Sequence, residues 1–323
     1  MAIEAEQRYY MKLKAAYCYY EQNMTQAEIA ELLHVSRITL GRLLREAKEE
    51  GMVKVEIIDH RNIRHCLEAE AAMMETFSLT DVKIVECMDS SDSMLAHRIG
   101  LAAARYLEQL LKSGMRIGIG WGRTLDQMTH SLHSNKHLRD LEIITLLGGA
   151  GTVTSMIQPN NLVQTLLDKF KGKAYVVNAP YICQTEALCD AVKKDPSVHT
   201  ALERSKAADI TLLGIGEKPS IADRNRDYYN FDNETVSMLL EEGVVGDICA
   251  HFFDKDGVMR NTSVCRRVVS IDPKELHEHK KVIMMGGGPT KYEAVLGALR
   301  GGYPDVLITD YQTAKAVLQA SGR

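Results

Sequence analysis

Between Val82 and Thr309, short apolar runs of strand length alternate with helical runs, and this alternation constrains the chain more than any other feature. The strand-like runs are Val82 to Val85, Arg116 to Ile119, Ile143 to Leu147, Tyr175 to Asn178, Ile210 to Gly214, Val282 to Met285 and Val306 to Thr309. Helix-forming runs such as Met94 to Lys112, Leu125 to His130 and Leu162 to Phe170 separate them. Parallel neighbours need a crossover and a helix is its usual form, so the pattern predicts an α/β/α domain built on a parallel sheet. One stretch, Asp247 to Met259 with an Asp256-Gly257 turn, reads as antiparallel.

The first 58 residues follow another rule. From Glu4 to Gln22, Tyr9, Leu13, Ala16, Tyr17 and Tyr20 recur at helical spacing, predicting an amphipathic helix. Thr25 to Glu28 has the form of a capping box that opens a short helix through Leu33. His34-Val35 makes a tight connection, Ser36 caps a third helix, and Gly51 stops it. Met52 to Ile57 alternates apolar and charged residues as a small wing would. We therefore expect an all-α helix-turn-helix domain with a small wing over 1–58, a linker and connecting helix over 59–78, and a larger domain over 79–323. A chain of 323 residues is long enough for two cores.

A helix-turn-helix needs a small residue where its helices cross, apolar residues at fixed interior offsets and a second helix that offers donors outward. Ala30 stands at the crossing, Ile29, Leu33, Val35, Leu40 and Leu43 at the interior offsets, and Ser36, Arg37, Thr39, Gly41, Arg42 and Arg45 on the outer side. His34 occupies a left-handed turn position where glycine is preferred. The arginines suit guanine edges or phosphates, and Gln26 and the hydroxyls suit the DNA backbone; the sequence does not divide these tasks among them. The net charge of -4 excludes a generally basic surface, so DNA binding would rest on this local cluster.

Three strand ends carry glycine-rich loops. Gly120-Trp121-Gly122-Arg123-Thr124 runs from strand to helix, as does Gly286-Gly287-Gly288-Pro289-Thr290-Lys291, and Gly148-Gly149 follows a third strand. Backbone amides at such turns surround anions, although the same glycines also suit a sharp turn alone. Neither a dinucleotide fingerprint nor a Walker A spacing is present. Lys291 is placed for a phosphate or a sugar hydroxyl, while Asp247, a lone carboxylate among apolar residues, suits either a polyol or a local cap. Asp305 and Asp310 read as turn and cap residues, and the histidines form no catalytic pattern. Seven scattered cysteines, without a CxxC pair or a histidine at metal-ligand spacing, read as reduced structural thiols, so no metal or cofactor is expected. Without a secretory leader or a membrane-length apolar run, the expected setting is cytoplasmic, with no membrane partner.

Taken together, the segments MTQAEIAELL, GRLLREAKEEGMV, GIGWGRT, TLLGGAG, GDICAHFFDKDG and GGGPTKYEAVLGALRGGYPDVLITD resemble the SorC family of sugar-binding transcriptional regulators over nearly the whole chain. The resemblance implies an effector domain related in fold to ribose-phosphate isomerases and glucosamine-phosphate deaminases but lacking their activity, usually assembled as a homotetramer. It implies operator DNA and a carbohydrate, often phosphorylated, as partners. Carried over by motif, the effector site comprises Gly120, Trp121, Gly122, Arg123 and Thr124 with Asp247 and Lys291. Gly148, Gly149, Gly287 and Gly288 join it as the other glycine loops. The stretch from Glu217 to Asn233 matches no family motif and is expected to influence ligand choice. The rival reading is a sugar-phosphate isomerase or deaminase with a DNA-binding appendage, for which no convincing acid-base pair stands out beyond Asp247 and Lys291.

Overall fold

The computed structural model describes residues 2–55, 58–61, 63–87, 91–149, 157–219 and 231–322. The chain divides into two compact units, Met1–Asn62 and Ile63–Arg323.

The first unit contains helices α1 (Ala2–Tyr20), α2 (Gln26–Leu32) and α3 (Arg37–Glu49). The Thr25 hydroxyl accepts a hydrogen bond from the Glu28 amide at 3.3 Å, and the Glu28 carboxylate accepts one from the Thr25 amide at 2.8 Å, completing the capping box. Ser36 caps α3 by accepting from the Thr39 amide at 3.1 Å. Between the two helices His34 takes φ 54°, and the Val35 amide donates to the Ala30 carbonyl at 2.9 Å. Ile29, Ala30, Leu40, Leu43 and Leu44 pack against Ala15 and Cys18 of α1.

The first helix forms as expected, and one expectation for this unit, the wing, is corrected. Helix α1 turns Lys12, Ala15, Ala16 and Cys18 inward, and Tyr9, Leu13, Tyr17 and Tyr20 are exposed. Small residues allow close approach to α3, and the Lys12 ammonium is paired with the Glu50 carboxylate while its stem is buried. Met52 to Val55 form no strand, whereas Glu56 and Ile57 lie outside the described residues. A strand needs a ladder partner, and the described part of this unit supplies none.

The second unit is organised by a seven-stranded sheet of order β1-β10-β9-β5-β2-β3-β4, parallel throughout. Its strands are β1 (Asp81–Val85), β2 (Arg116–Ile119), β3 (Leu141–Thr145), β4 (Gly172–Tyr175), β5 (Ile210–Gly214), β9 (Val282–Met285) and β10 (Val306–Asp310). The short strands β6 (Gly216–Glu217), β7 (Val244–Ile248) and β8 (His251–Asp254) form a separate antiparallel sheet. Successive strand residues serve opposite faces. Ile283, Met285, Val306 and Ile308 join a core with helices α5 (Asp92–Leu110), α6 (Arg123–Ser131) and α7 (Pro159–Lys169). Val282, Met284 and Leu307 face the opposite core, with α4 (Arg64–Phe77), the Tyr292–Arg300 and Tyr311–Ala320 helices, Phe252 and Phe253.

Strand β4 begins and ends earlier than the apolar run predicts, and past its end the Val177 amide donates to the Thr145 hydroxyl at 2.7 Å rather than to a ladder partner. The antiparallel stretch turns at Cys249-Ala250, and Gly257, at φ 79°, turns the chain back so that Phe253 and Met259 form a bridge. Helices α8 (Glu186–Lys194) and α9 (Pro196–Lys206) bury Cys189, Val198 and Ala201 in a smaller cluster with Val177 and Val269.

After β2 the chain proceeds to β3 and β4 on one side, and after β5 it proceeds to β9 and β10 on the other. The carboxyl ends of these two adjacent strands therefore border a topological switch point, where a crevice opens in parallel sheets.

The left-handed His34 supplies a direct test of the turn. His34→Gly removes a Cβ from an unfavourable conformation, and we expect the three-helix unit to gain about 0.5–1 kcal/mol in thermal unfolding.

Candidate functional site

The switch-point crevice is a cavity of about 150 Å³ lined by Gly120 to Leu125, Leu213 to Pro219, Asp247, Cys249, Gly287, Gly288, Thr290 and Lys291, with α5 side chains as its wall. Gly122, at φ 127°, makes the turn from β2 into α6 and leaves that helix without a side-chain cap. The Tyr292–Arg300 helix likewise starts at Lys291 without one. By contrast Ser91 and Asp310 cap α5 and the Tyr311–Ala320 helix. The uncapped first turns at the cavity leave amide donors at the positive end of the helix dipole.

Arg123 and Lys291 bring two cations to this cavity. The Lys291 ammonium donates to the Ile215 carbonyl at 2.9 Å. Burial holds it below the ordinary lysine range; the Glu217 carboxylate opposes that shift, and Arg123 adds to it. Opposite lies Asp247, only 2% exposed, whose Oδ2 accepts from the Ala250 amide at 3.0 Å. A Cβ on Gly216 would stand 1.7 Å from Asp247 Oδ1, so the glycine makes room for the carboxylate. Thr290 donates to Glu217 at 2.5 Å, closing one rim. The arrangement offers cations and free amides for an anion and a fixed carboxylate for hydroxyls.

The wall beneath Asp247 is strained. Cys249 and Ala250 take φ 51° and 63° in a two-residue hairpin turn, a conformation that glycine and asparagine ordinarily supply. The Asp247 bond to Ala250 and the complete burial of Ala250 hold it in place.

Of the residues singled out from sequence, Gly120, Trp121, Gly122, Arg123, Thr124, Asp247, Gly287, Gly288 and Lys291 are brought together in this lining. Gly148 and Gly149 are not among them. The Gly148 amide donates to the Val269 carbonyl at 3.0 Å, and a Cβ there would meet the Ala179 carbonyl oxygen at 2.3 Å. Gly148 thus serves close packing, while the Gly149 carbonyl accepts from the amide of Tyr181, whose ring rests 5.0 Å from that of Trp121. Gly216 and Thr290 line the cavity without having been assigned to the site, although Gly214-Ile215-Gly216 after a strand was an available signal, and Glu217, the first residue of the stretch expected to influence ligand choice, lines it too. Most of the unmatched stretch, residues 220–230, lies outside the described residues.

On the three-helix unit, Gln26, Ser36, Arg37, Arg42 and Arg45 are exposed, and Thr39 and Gly41 half-buried. Nothing stands within 4 Å of where a Gly41 Cβ would be. The Ser36 and Thr39 hydroxyls bond one another at 2.9 Å, and Arg42 lies 3.9 Å from Glu46. Ile38 is 88% exposed beside Arg37. Sequence reasoning missed it, although the interior positions Leu40, Leu43, Leu44 and Ala47 place Ile38 on the outer face.

Two measurements follow from this geometry. Gly148→Ala is expected to lower stability by about 1–3 kcal/mol in urea unfolding through overpacking; a neutral effect would return that residue to an open site. His251, next to the strained turn, is pushed down to about 4 by burial. It stays neutral in the folded chain while the unfolded chain takes up its proton near the usual value of about 6.5. Stability is thus fully present above that value and is lost as pH falls towards 4, and His251→Gln should flatten the melting temperature across that window.

Residues 61–319 match the family model described as "Putative sugar-binding domain". The deoxyribonucleoside regulator of Bacillus subtilis is 28% identical over 308 residues, covering 95% of this chain and 97% of its own length. The sorbitol operon regulator of Klebsiella pneumoniae is 28% identical over 312 residues, with 95% and 97% covered. The crystal structure of that full-length regulator, SorC, superposes with a TM-score of 0.73 at 26% identity, covering 97% of this chain and 99% of the other. These relatives are named as regulators, and by sequence and fold alike this chain belongs to the SorC family of sugar-binding transcriptional regulators.

Proposed function

We propose that the chain is a sequence-specific DNA-binding regulator of a carbohydrate-utilisation operon whose operator affinity is set by a sugar or phosphorylated sugar in the switch-point cavity. The observation that carries this reading is the convergence of Arg123, Lys291 and two helix starts lacking side-chain caps opposite the buried carboxylate of Asp247. A phosphoryl group suits the cations and the free amides, and hydroxyls suit Asp247. The names of two relatives, the deoxyribonucleoside regulator and the sorbitol operon regulator, refer to hydroxylated compounds. A ligand that binds one arrangement more tightly than another shifts the operator-binding population by that difference.

In this reading residues 1–58 are a helix-turn-helix domain, 59–78 a linker and connecting helix, and 79–323 the effector-binding and oligomerisation domain. The exposed face of α3 reads DNA, with Arg37, Arg42 and Arg45 on base edges or phosphates and Gln26, Ser36 and Thr39 holding the backbone. Ile38 joins them as an apolar contact to thymine methyl groups. The protein works in the cytoplasm as a homotetramer, and the exposed Tyr9, Leu13, Tyr17 and Tyr20 face of α1 supports self-association. Its larger domain shares the isomerase and deaminase fold without their turnover. No described helix is long and apolar enough to cross a membrane.

Trp121 is the sole tryptophan and lines the cavity, so its fluorescence reports this site. Titration with sugars, polyols and their phosphates should give a saturable change with one compound, weakened at least about tenfold in Lys291→Ala, the cost of a charge-assisted bond. An unaltered response in that variant would remove Lys291 from the site. Arg37→Ala and Arg42→Ala should weaken operator binding while leaving the fluorescence titration unchanged, and operator binding should fall steeply with salt.

A further inference from the structure

The first turn of α4 and the carboxyl end of β1 bring together three side chains that the effector reading leaves unused. His65 and Cys66 are consecutive in α4, Glu86 follows β1, and one donor atom of each lies within 4.8 Å of the other two. Glu86 Oε2 contacts His65 Nε2 and lies 3.6 Å from Cys66 Sγ. Cys66 is buried, and its two neighbours are half-buried. The His65 ring packs edge-on against Tyr311 with centroids 4.3 Å apart, which fixes the plane of the imidazole. The Glu86 carbonyl is held in turn by Arg98 at 2.9 Å.

We propose that His65, Cys66 and Glu86 form a binding site for one divalent transition-metal ion of the zinc class. Imidazole, thiolate and carboxylate are the donors such ions take, whereas calcium and magnesium favour oxygen alone. A tetrahedral ion with bonds of about 2.0–2.3 Å holds its donor atoms roughly 3.3–3.8 Å apart. The Cys66–Glu86 separation of 3.6 Å already has this value. The His65–Glu86 contact is shorter and opens as the ion enters between them. Binding releases the Cys66 proton to solvent, so thiolate and carboxylate together balance the two positive charges and no net charge is buried. The fourth position is left to water.

Such an ion fastens the start of α4 to an edge strand of the sheet. Its histidine rests on Tyr311, which follows Asp310, and Asp310 holds the Gly288 amide of the cavity loop at 2.9 Å. Tyr311 and Asp310 therefore connect the metal site to the cavity wall.

The test uses the full-length chain, stripped with a chelator and titrated with cobalt(II). We expect a near-ultraviolet thiolate-to-cobalt charge-transfer band with visible bands of a tetrahedral ion, saturating at one equivalent and displaced by zinc. Cys66→Ser should abolish the charge-transfer band. His65→Gln and Glu86→Gln, which keep side-chain volume, should weaken cobalt binding by at least about tenfold, the lower bound for disturbing a metal site. Circular dichroism establishes that each variant is folded. A folded wild-type chain without the thiolate band overturns the proposal and leaves a histidine-glutamate pair. A band unchanged in Cys66→Ser overturns it too, by placing the ion on another cysteine.

Discussion

The carboxylate of Asp310, 2% exposed at the end of β10, fastens three parts of the larger unit to one point. Its Oδ1 accepts from the Thr313 amide at 3.0 Å and so starts the last helix. Its Oδ2 accepts from the Thr313 hydroxyl at 2.6 Å and from the Gly288 amide at 2.9 Å. A buried carboxylate is tolerated only when its lone pairs are satisfied, and here one of the partners that satisfy it is the Gly288 amide of the cavity loop. Gly287 is bound to the same constraint, since a Cβ there would lie 2.2 Å from Oδ2. The glycine loop after β9 is thus shaped by a neighbouring strand as much as by its own residues.

The cavity repeats this logic on its other side. Asp247 is admitted by Gly216 and steadies a turn that Cys249 and Ala250 would otherwise adopt at a cost of roughly 1–2 kcal/mol per residue. Strain of this kind persists where the surroundings over-determine the backbone, and it lies at the wall a ligand would touch. A ligand that draws on Asp247 competes with the Ala250 amide, which gives an effector a physical means of altering the hairpin.

Much of this was legible wherever the signal is local. The Thr25 and Glu28 box, the Ser36 cap and the Gly122 turn each involve residues a few positions apart, and the strand runs from Ile210 and Val282 fall where their composition places them. Partners distant in sequence were not legible. Gly148 looked like a ligand loop because nothing nearby announces that Ala179 and Pro180 fill the space. The tyrosines of α1 have the right period, yet period alone does not decide which side meets α3, and Lys12 hid its burial behind its charge. Helices α8 and α9 went unread, as did Glu86 beside His65 and Cys66.

The sheet order also governs how the chain must be made. The first strand, β1, has β10 as its ladder partner, so Asp81 to Val85 wait for Val306 to Asp310 before their edge is closed. During synthesis an apolar strand edge therefore stays open until Val306 to Asp310 have left the ribosome, while the three-helix unit closes on contacts local to its own residues. A chain that stops short of β10 leaves β1 as a bare template for pairing with other molecules, so premature termination yields an aggregating species rather than a smaller regulator.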